Sequence, residues 1–311
     1  MNPEMVTPDL LARSVIAVPP LARHEDLRLN QQANRKLIGY LESGGISTLL
    51  YGGNAVFYHI SLSEMEEVLR CLADSASANT TIIPSVGPAF GTMMDQAIIV
   101  REFAFPTVMV LPQAEIATSA GRARGTRIFA ERFGKPVVLY LKHDGAMTVS
   151  DVQHLCDEGI VSAIKYAVVR KDPKQDDYLK HLVDDVDPRI IVSGIGEQPA
   201  LDHMRHFQLQ GFTSGCVCVA PGLSQAMLLA AQKGQWEAAD RLRVKFEALE
   251  DLRNAINPIR VLHSAVRLAG VADTGAILPL LSPTSSAEDQ AIGEAAQRLF
   301  DQEVAYRHQE A

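Results

Sequence analysis

The chain has 311 residues, 47% of them hydrophobic and 21% charged, with a formal net charge of -8. That length suits one large α/β barrel or two smaller domains, and a core of that size needs no disulfide staples. The positive residues are scattered through an acidic chain, which excludes nucleic acid as the main partner, since that binding relies on clustered Lys and Arg.

Short apolar runs alternate with amphipathic ones from the start. The expected strands are Val15-Val18, Ser47-Tyr51, Thr81-Ser85, Thr107-Leu111, Val137-Leu141, Val161-Lys165, Ile190-Ser193 and Phe212-Val217, rich in the residues that buried parallel strands use. Between them the spacing predicts helices over Leu27-Ser43, Ser63-Ala76, Thr118-Phe133, Thr148-Glu158, Gln175-Asp184 and Gln198-His206. Ser63 with Glu66 reads as a capping box at the second of these. Eight strands alternating with helices favour a closed (β/α)8 TIM barrel. An open doubly wound sheet is the alternative, but its glycine-rich phosphate turn is missing: Gly194-Ile195-Gly196 has Pro199 where the third glycine belongs.

From Pro221 the strands stop. Ser224-Lys233, Glu237-Ala255 and Ala287-Val304 read as helices, so residues 1–220 are expected to form the barrel and residues 221–311 a helical region packed on it. Met1 to Leu11 lacks the apolar core of a secretory signal, and no apolar run approaches the roughly 18 residues of a membrane span, which points to a cytoplasmic protein. Cys71, Cys156, Cys216 and Cys218 then read as free thiols. Cys216 and Cys218, alternating on the last strand, would face the same way and make a poor zinc site. No metal site is expected.

Barrel chemistry sits where strands end. Lys165 closes the sixth strand and Tyr140 lies near the end of the fifth, so their side chains should meet in the barrel mouth, neighbouring strands being roughly 5 Å apart. Burial would lower the lysine pKa and leave a neutral amine that attacks a ketone or aldehyde. The tyrosine hydroxyl could then move the proton that imine formation requires. On position alone, a strand-end lysine is more often a snorkelling surface residue and a strand tyrosine more often packing. Lys142, two residues beyond Tyr140, points the same way and is a candidate substrate-binding group.

These residues stand in an order that resembles the dihydrodipicolinate synthase and N-acetylneuraminate lyase superfamily of class I aldolases. Gly45-Ile46-Ser47-Thr48-Leu49-Leu50-Tyr51-Gly52-Gly53-Asn54 followed by Ser61-Leu62-Ser63-Glu64 is similar to that family's first site loop and its capped helix. Gly134-Lys135-Pro136-Val137-Val138-Leu139-Tyr140 resembles the strand ending in its catalytic tyrosine, and Ala163-Ile164-Lys165 the strand ending in its Schiff-base lysine. Ser193-Gly194, Gly211-Phe212-Thr213-Ser214-Gly215 and Asn257-Pro258-Ile259 match later features. The resemblance implies a barrel with C-terminal helices, often a homotetramer. It implies a lyase or aldolase that holds a 2-keto acid such as pyruvate as a Schiff base on Lys165, with no cofactor. Tyr140 would be the proton donor, and Gly53, Asn54, Lys142, Gly194 and Thr213 would line the substrate.

The chain departs from the family at three places. Gly53 and Asn54 stand where paired threonines hold a carboxylate and relay protons. A second tyrosine after the fourth strand is replaced within Val110-Leu111-Pro112-Gln113-Ala114-Glu115, where Gln113 or Glu115 could take its position. Lys142-His143-Asp144-Gly145 carries no arginine after the catalytic tyrosine. These changes point away from dihydrodipicolinate synthesis itself. They also raise the alternative of a catalytically reduced barrel that binds a keto acid or sugar acid as a sensor or partner protein. A metal-dependent aldolase would need carboxylates and histidines at strand ends, which the sequence does not supply. His59, beside Tyr58, is a further acid/base candidate.

Overall fold

The computed structural model describes residues 1–113 and 116–310. Eight strands close into one barrel in chain order: β1 (Ile16–Ala17), β2 (Thr48–Tyr51), β3 (Thr81–Val86), β4 (Met109–Val110), β5 (Val137–Leu141), β6 (Val161–Tyr166), β7 (Ile191–Ser193) and β8 (Gly211–Ser214). Each pairs in parallel with its neighbours, and Ile16 of β1 sits opposite both Thr48 of β2 and Thr213 of β8, which closes the ring. The expected (β/α)8 barrel is therefore the fold, and strands buried on both faces explain the continuous apolar runs.

Helices wrap the outside. They are α1 (Pro8–Arg13), α2 (Gln31–Ser43), α3 (Leu62–Ser75), α4 (Phe90–Val100), α5 (Ser119–Phe133), α6 (Val149–Asp157), α7 (Asp177–Asp185), α8 (Glu197–Phe207) and α9 (Pro221–Gln232). After these come α10 (Trp236–Arg243), α11 (Glu247–Ala255), α12 (Pro258–Leu268) and α13 (Ser286–Glu310). Many begin on a side chain that accepts from their own first turn, as Thr118, Thr148, Asp176 and Asn257 do, satisfying backbone donors that a helix start leaves open. No helix among the described residues is long and apolar enough to cross a membrane.

The differences from expectation have local causes. The cap of α3 is Ser61, whose hydroxyl accepts from Glu64 N, so the helix starts earlier than the Ser63 pattern implied. Leu27 takes a left-handed backbone (φ 69°) in the turn before Asn30, so α2 starts after it. α4 lies in a stretch where no helix was expected; its mixed apolar and small residues carry little period. The expected single helix Glu237-Ala255 is two, α10 and α11, joined by a 3-10 turn at Val244–Phe246. β8 ends at Ser214, and Cys216–Cys218 form a 3-10 turn, so the two thiols do not alternate on a strand.

Candidate active site

β5 and β6 pair with Tyr140 directly opposite Lys165. The Lys165 Nζ lies 4.7 Å from the centre of the Tyr140 ring. Lys165 is 5% exposed, and loss of solvation, aided by the positive charges of Lys142 and Arg253, lowers its pKa to about 7. A large fraction of the side chain is then a neutral amine near pH 7, the form that can attack a carbonyl. Burial drives the Tyr140 phenol the other way, well above its ordinary range, with the Tyr58 phenol adding to the effect. Tyr140 therefore stays protonated and can donate.

Gly194 at the end of β7 makes the lysine's wall. A Cβ there would lie 2.7 Å from the Tyr166 carbonyl oxygen, 2.8 Å from Ala167 Cβ and 3.0 Å from Lys165 Cγ. Only glycine lets β7 come this close, and Gly194 N donates to the Tyr166 carbonyl at 2.6 Å. Thr213 is buried in β8, and its carbonyl accepts from Gly196 N at 3.1 Å, fixing the loop after β7.

Gly53 and Asn54 lie in the turn after β2. Asn54 Nδ2 donates to the Val18 carbonyl at 3.0 Å, so one amide hydrogen ties this turn to the end of β1. Two residues on, Val56 has a left-handed backbone (φ 54°, ψ 35°), a conformation that costs a β-branched residue about 1–3 kcal/mol. The strained turn leads into the 3-10 segment Phe57–His59. Phe57 is buried in the core, Tyr58 is half-buried beside Gly53, and His59 is exposed.

Lys142 is exposed on the rim, where partial shielding of its ammonium lowers its pKa. Its loop is latched from behind. Arg170 grips Asp144 with two bonds of 2.6 and 2.7 Å and also binds Asp176, which accepts the Tyr166 hydroxyl at 2.6 Å. Gln113 follows β4, its carbonyl bonded to Arg122, while Glu115 lies outside the described residues.

One part of the site was not anticipated. From α11, Arg253 donates to the Ile195 carbonyl at 2.8 Å and to Glu250 Oε1 at 3.1 Å, directly behind the loop after Gly194. Glu250 also accepts from the backbone N–H groups of Glu197 and Gln198. Glu197 accepts from Ser224 Oγ at 2.7 Å. Gly196 (φ 99°) makes room, since a Cβ there would lie 1.9 Å from a Glu250 oxygen. Both carboxyls are buried and both pKa values are raised by that burial, Glu250's to about 8. With Glu250 held by three donors, the shared proton belongs on Glu197. Sequence reasoning missed these residues: a Glu and an Arg three apart on a helix are ordinarily a solvated surface pair, and Gly196 before Glu197 is the available signal.

Among the described residues, Glu197, Cys216 and Glu250 are the one group whose ligand atoms gather, all within 4.8 Å. Arg253 already supplies a cation there, burial holds the Cys216 thiol protonated, and the Glu250 oxygens are taken by N–H donors. These residues do not fit a metal.

The sequence model of the "Dihydrodipicolinate synthetase family" matches residues 12–299. Among solved structures, dihydrodipicolinate synthase from Bacillus clausii superposes with a TM-score of 0.81 at 21% identity, over 92% of this chain and 97% of that one. 4-Hydroxy-tetrahydrodipicolinate synthase from Methylacidiphilum fumariolicum gives 0.82 at 15% identity, over 95% and 98%. Sialic acid aldolase from Ruminococcus gnavus gives 0.80 at 14% identity, over 93% and 98%. At such identities these likenesses speak for the fold alone. No curated protein matches the sequence.

Proposed function

Because this chain belongs to the dihydrodipicolinate synthetase family, we propose that it is a Schiff-base-forming lyase or aldolase acting on a 2-keto acid or related carbonyl, with Lys165 as the amine and Tyr140 as the proton donor. The supporting observation is the buried Lys165 nitrogen, near-neutral in pKa, set over the Tyr140 ring. In this reading the neutral amine adds to the carbonyl carbon while Tyr140 protonates the carbonyl oxygen. Loss of water then leaves an iminium, which draws electrons from the adjacent carbon and lets a bond there form or break. The iminium is the electron sink, so no metal or organic cofactor is needed.

The turn at Gly53-Asn54 supplies backbone N–H groups and the second Asn54 amide hydrogen to the substrate's carboxylate. Lys142 at the rim offers a point charge to the far end of an anionic substrate, without the two-pronged grip of arginine. With no hydroxyl at 53 or 54 and no arginine after Tyr140, we assign a reaction other than dihydrodipicolinate synthesis. No observation favours a binding-only barrel.

Borohydride trapping with a panel of pyruvate, 2-oxobutanoate and 2-oxoglutarate tests this directly. Mass spectrometry should find a reduced adduct on Lys165, absent in Lys165→Ala. An unmodified Lys165 with every panel member would overturn the reading.

A further inference from the structure

The loop after β7 is the wall beside the amine, and each residue from Gly194 to Gln198 is held by a group outside the loop. Gly194 N donates to the Tyr166 carbonyl of β6 at 2.6 Å, and Gly196 N to the Thr213 carbonyl of β8 at 3.1 Å. The remaining holds come from α11. Arg253 Nη1 donates to the Ile195 carbonyl at 2.8 Å, while the two Glu250 oxygens accept from Glu197 N at 2.9 Å and Gln198 N at 2.8 Å. The same guanidinium nitrogen reaches Glu250 Oε1 at 3.1 Å, so one ion pair grips both ends of the turn.

The sequence explains why another helix does this. α8 starts after Gly196, which has no side chain to cap it, whereas α6 and α7 have Thr148 and Asp176 for that purpose. Glu250 caps α8 instead. Gly196 also leaves the space, since a Cβ there would lie 2.5 Å from Arg253 Nη1 as well as against Glu250. Both side chains are buried. As a source of stability such a pair is poor, because desolvation offsets much of the attraction. As a means of fixing direction it is strong, because charge-assisted hydrogen bonds are short and oriented.

Where this loop lies decides where the lysine lies. Gly194 packs so closely on Lys165 that a Cβ would stand 3.0 Å from its Cγ. Beyond Cγ the lysine chain still rotates, so a loop that drifted would let the amine swing off its line to the carbonyl. A misplacement of about 1 Å costs on the order of 10²-fold in rate.

We propose that Arg253 and Glu250 are positioning residues for the Schiff-base lysine: from α11 they hold the loop after β7 against Lys165 and so fix the direction of its amine. The inference rests on the Schiff-base reading above.

The test uses the full-length protein with Arg253→Met, Arg253→Gln and Arg253→Lys. Arg243→Met is the control, an arginine whose partners Asp240 and Glu247 both lie in the C-terminal helices. Adduct formation on Lys165 is timed by rapid borohydride quenching over a range of concentrations of the panel keto acid that traps most fully. Each variant is read on the upper plateau of its pH profile, where the amine is uncharged with or without the arginine's charge. Arg253→Met and Arg253→Gln should lower the saturating rate by about 10- to 10²-fold. The half-saturating concentration should move less than about threefold, because the turn that takes the carboxylate follows β2, which is no neighbour of β7 in the ring. Arg253→Lys has hydrogens for both the Ile195 carbonyl and Glu250 and should regain the parent rate to within about threefold. Adding Glu250→Gln to Arg253→Met should slow the reaction no further, since the two residues act as one grip. Arg243→Met should react as the parent does. A parent-like saturating rate in either neutral variant that folds, with its circular dichroism unchanged, would overturn the positioning role and leave the Schiff-base reading intact. Rate and affinity falling together in the lysine variant and in the control would also overturn it, as the mark of a generally loosened barrel. An unaltered protein that forms no adduct would remove both readings.

Discussion

Tyr140 and Lys165 are register partners on β5 and β6, with the lysine nitrogen 4.7 Å from the centre of the phenol ring. Burial at this position, with the positive charges of Lys142 and Arg253, sets the pH behaviour of the amine. With a pKa of about 7, the rate of iminium formation should rise with pH and reach half its plateau near pH 7. Lys142→Gln removes a positive charge that depresses this pKa, so its midpoint should move upward. Tyr140→Phe keeps the ring but removes the donor, and should lower the rate about 10²-fold. Stopped-flow trapping across pH checks all three; a midpoint near 10 in the unaltered protein would contradict the buried, neutral amine.

The same burial costs stability. The folded pKa of Lys165 is lowered from 10.5 to about 7, so the unfolded chain binds an extra proton between those values and stability should rise with pH across that window. Lys165→Met removes the penalty and the slope together. At pH 7 it should be more stable by roughly 2–4 kcal/mol in urea unfolding. A less stable methionine variant would mean that the ammonium is comfortably paired in the folded state.

Two glycines should separate cleanly. Gly194→Ala forces its Cβ onto the Tyr166 carbonyl and Lys165 Cγ, so it should lose about 1–3 kcal/mol and most of the Lys165 adduct. Gly53→Ala meets only Tyr58 Cε2 at 3.8 Å, an ordinary contact, and should fold with stability changed by less than about 0.5 kcal/mol. Thermal unfolding and adduct mass read both; similar losses in the two variants would disprove this account of Gly194.

Glu197→Gln replaces a carboxyl that already carries the shared proton and should be tolerated within about 1 kcal/mol. Glu250→Gln strips Arg253 and two buried N–H groups of their acceptor charge and should cost about 2–4 kcal/mol. Because burial raises both carboxyl pKa values, Glu250's from 4.5 to about 8, the pair's contribution is full below pH 4.5 and fades as pH climbs toward 8. Glu197→Gln should flatten that decline, which denaturation at several pH values would reveal.

Much of this was legible before the structure because barrel strands are buried on both faces and leave uninterrupted apolar runs. Lys165 and Tyr140 could be paired from sequence, since consecutive strands are neighbours and charge at a strand end stands out in such a run. Tyr58 could not be placed, because its position depends on one valine adopting a left-handed backbone that its residue type disfavours. Arg253 was hidden for a different reason: it is distant in sequence from every strand end, and only helix packing brings it to the loop after β7. Cys216 misled because alternation of apolar residues cannot tell a strand's end from a 3-10 turn.

The grip of Arg253 on the Ile195 carbonyl gives the last part of the chain a hold over the first. During synthesis, all eight strands leave the ribosome before α11 does. A nascent barrel at that moment lacks the guanidinium that backs the wall beside Lys165, and α13 has not yet brought Glu303 to the backbone of Gly222 and Leu223 at the start of α9. A translation product stopped short of α11 would thus lack Arg253, one of the two positive charges that, beside burial, lower the Lys165 pKa.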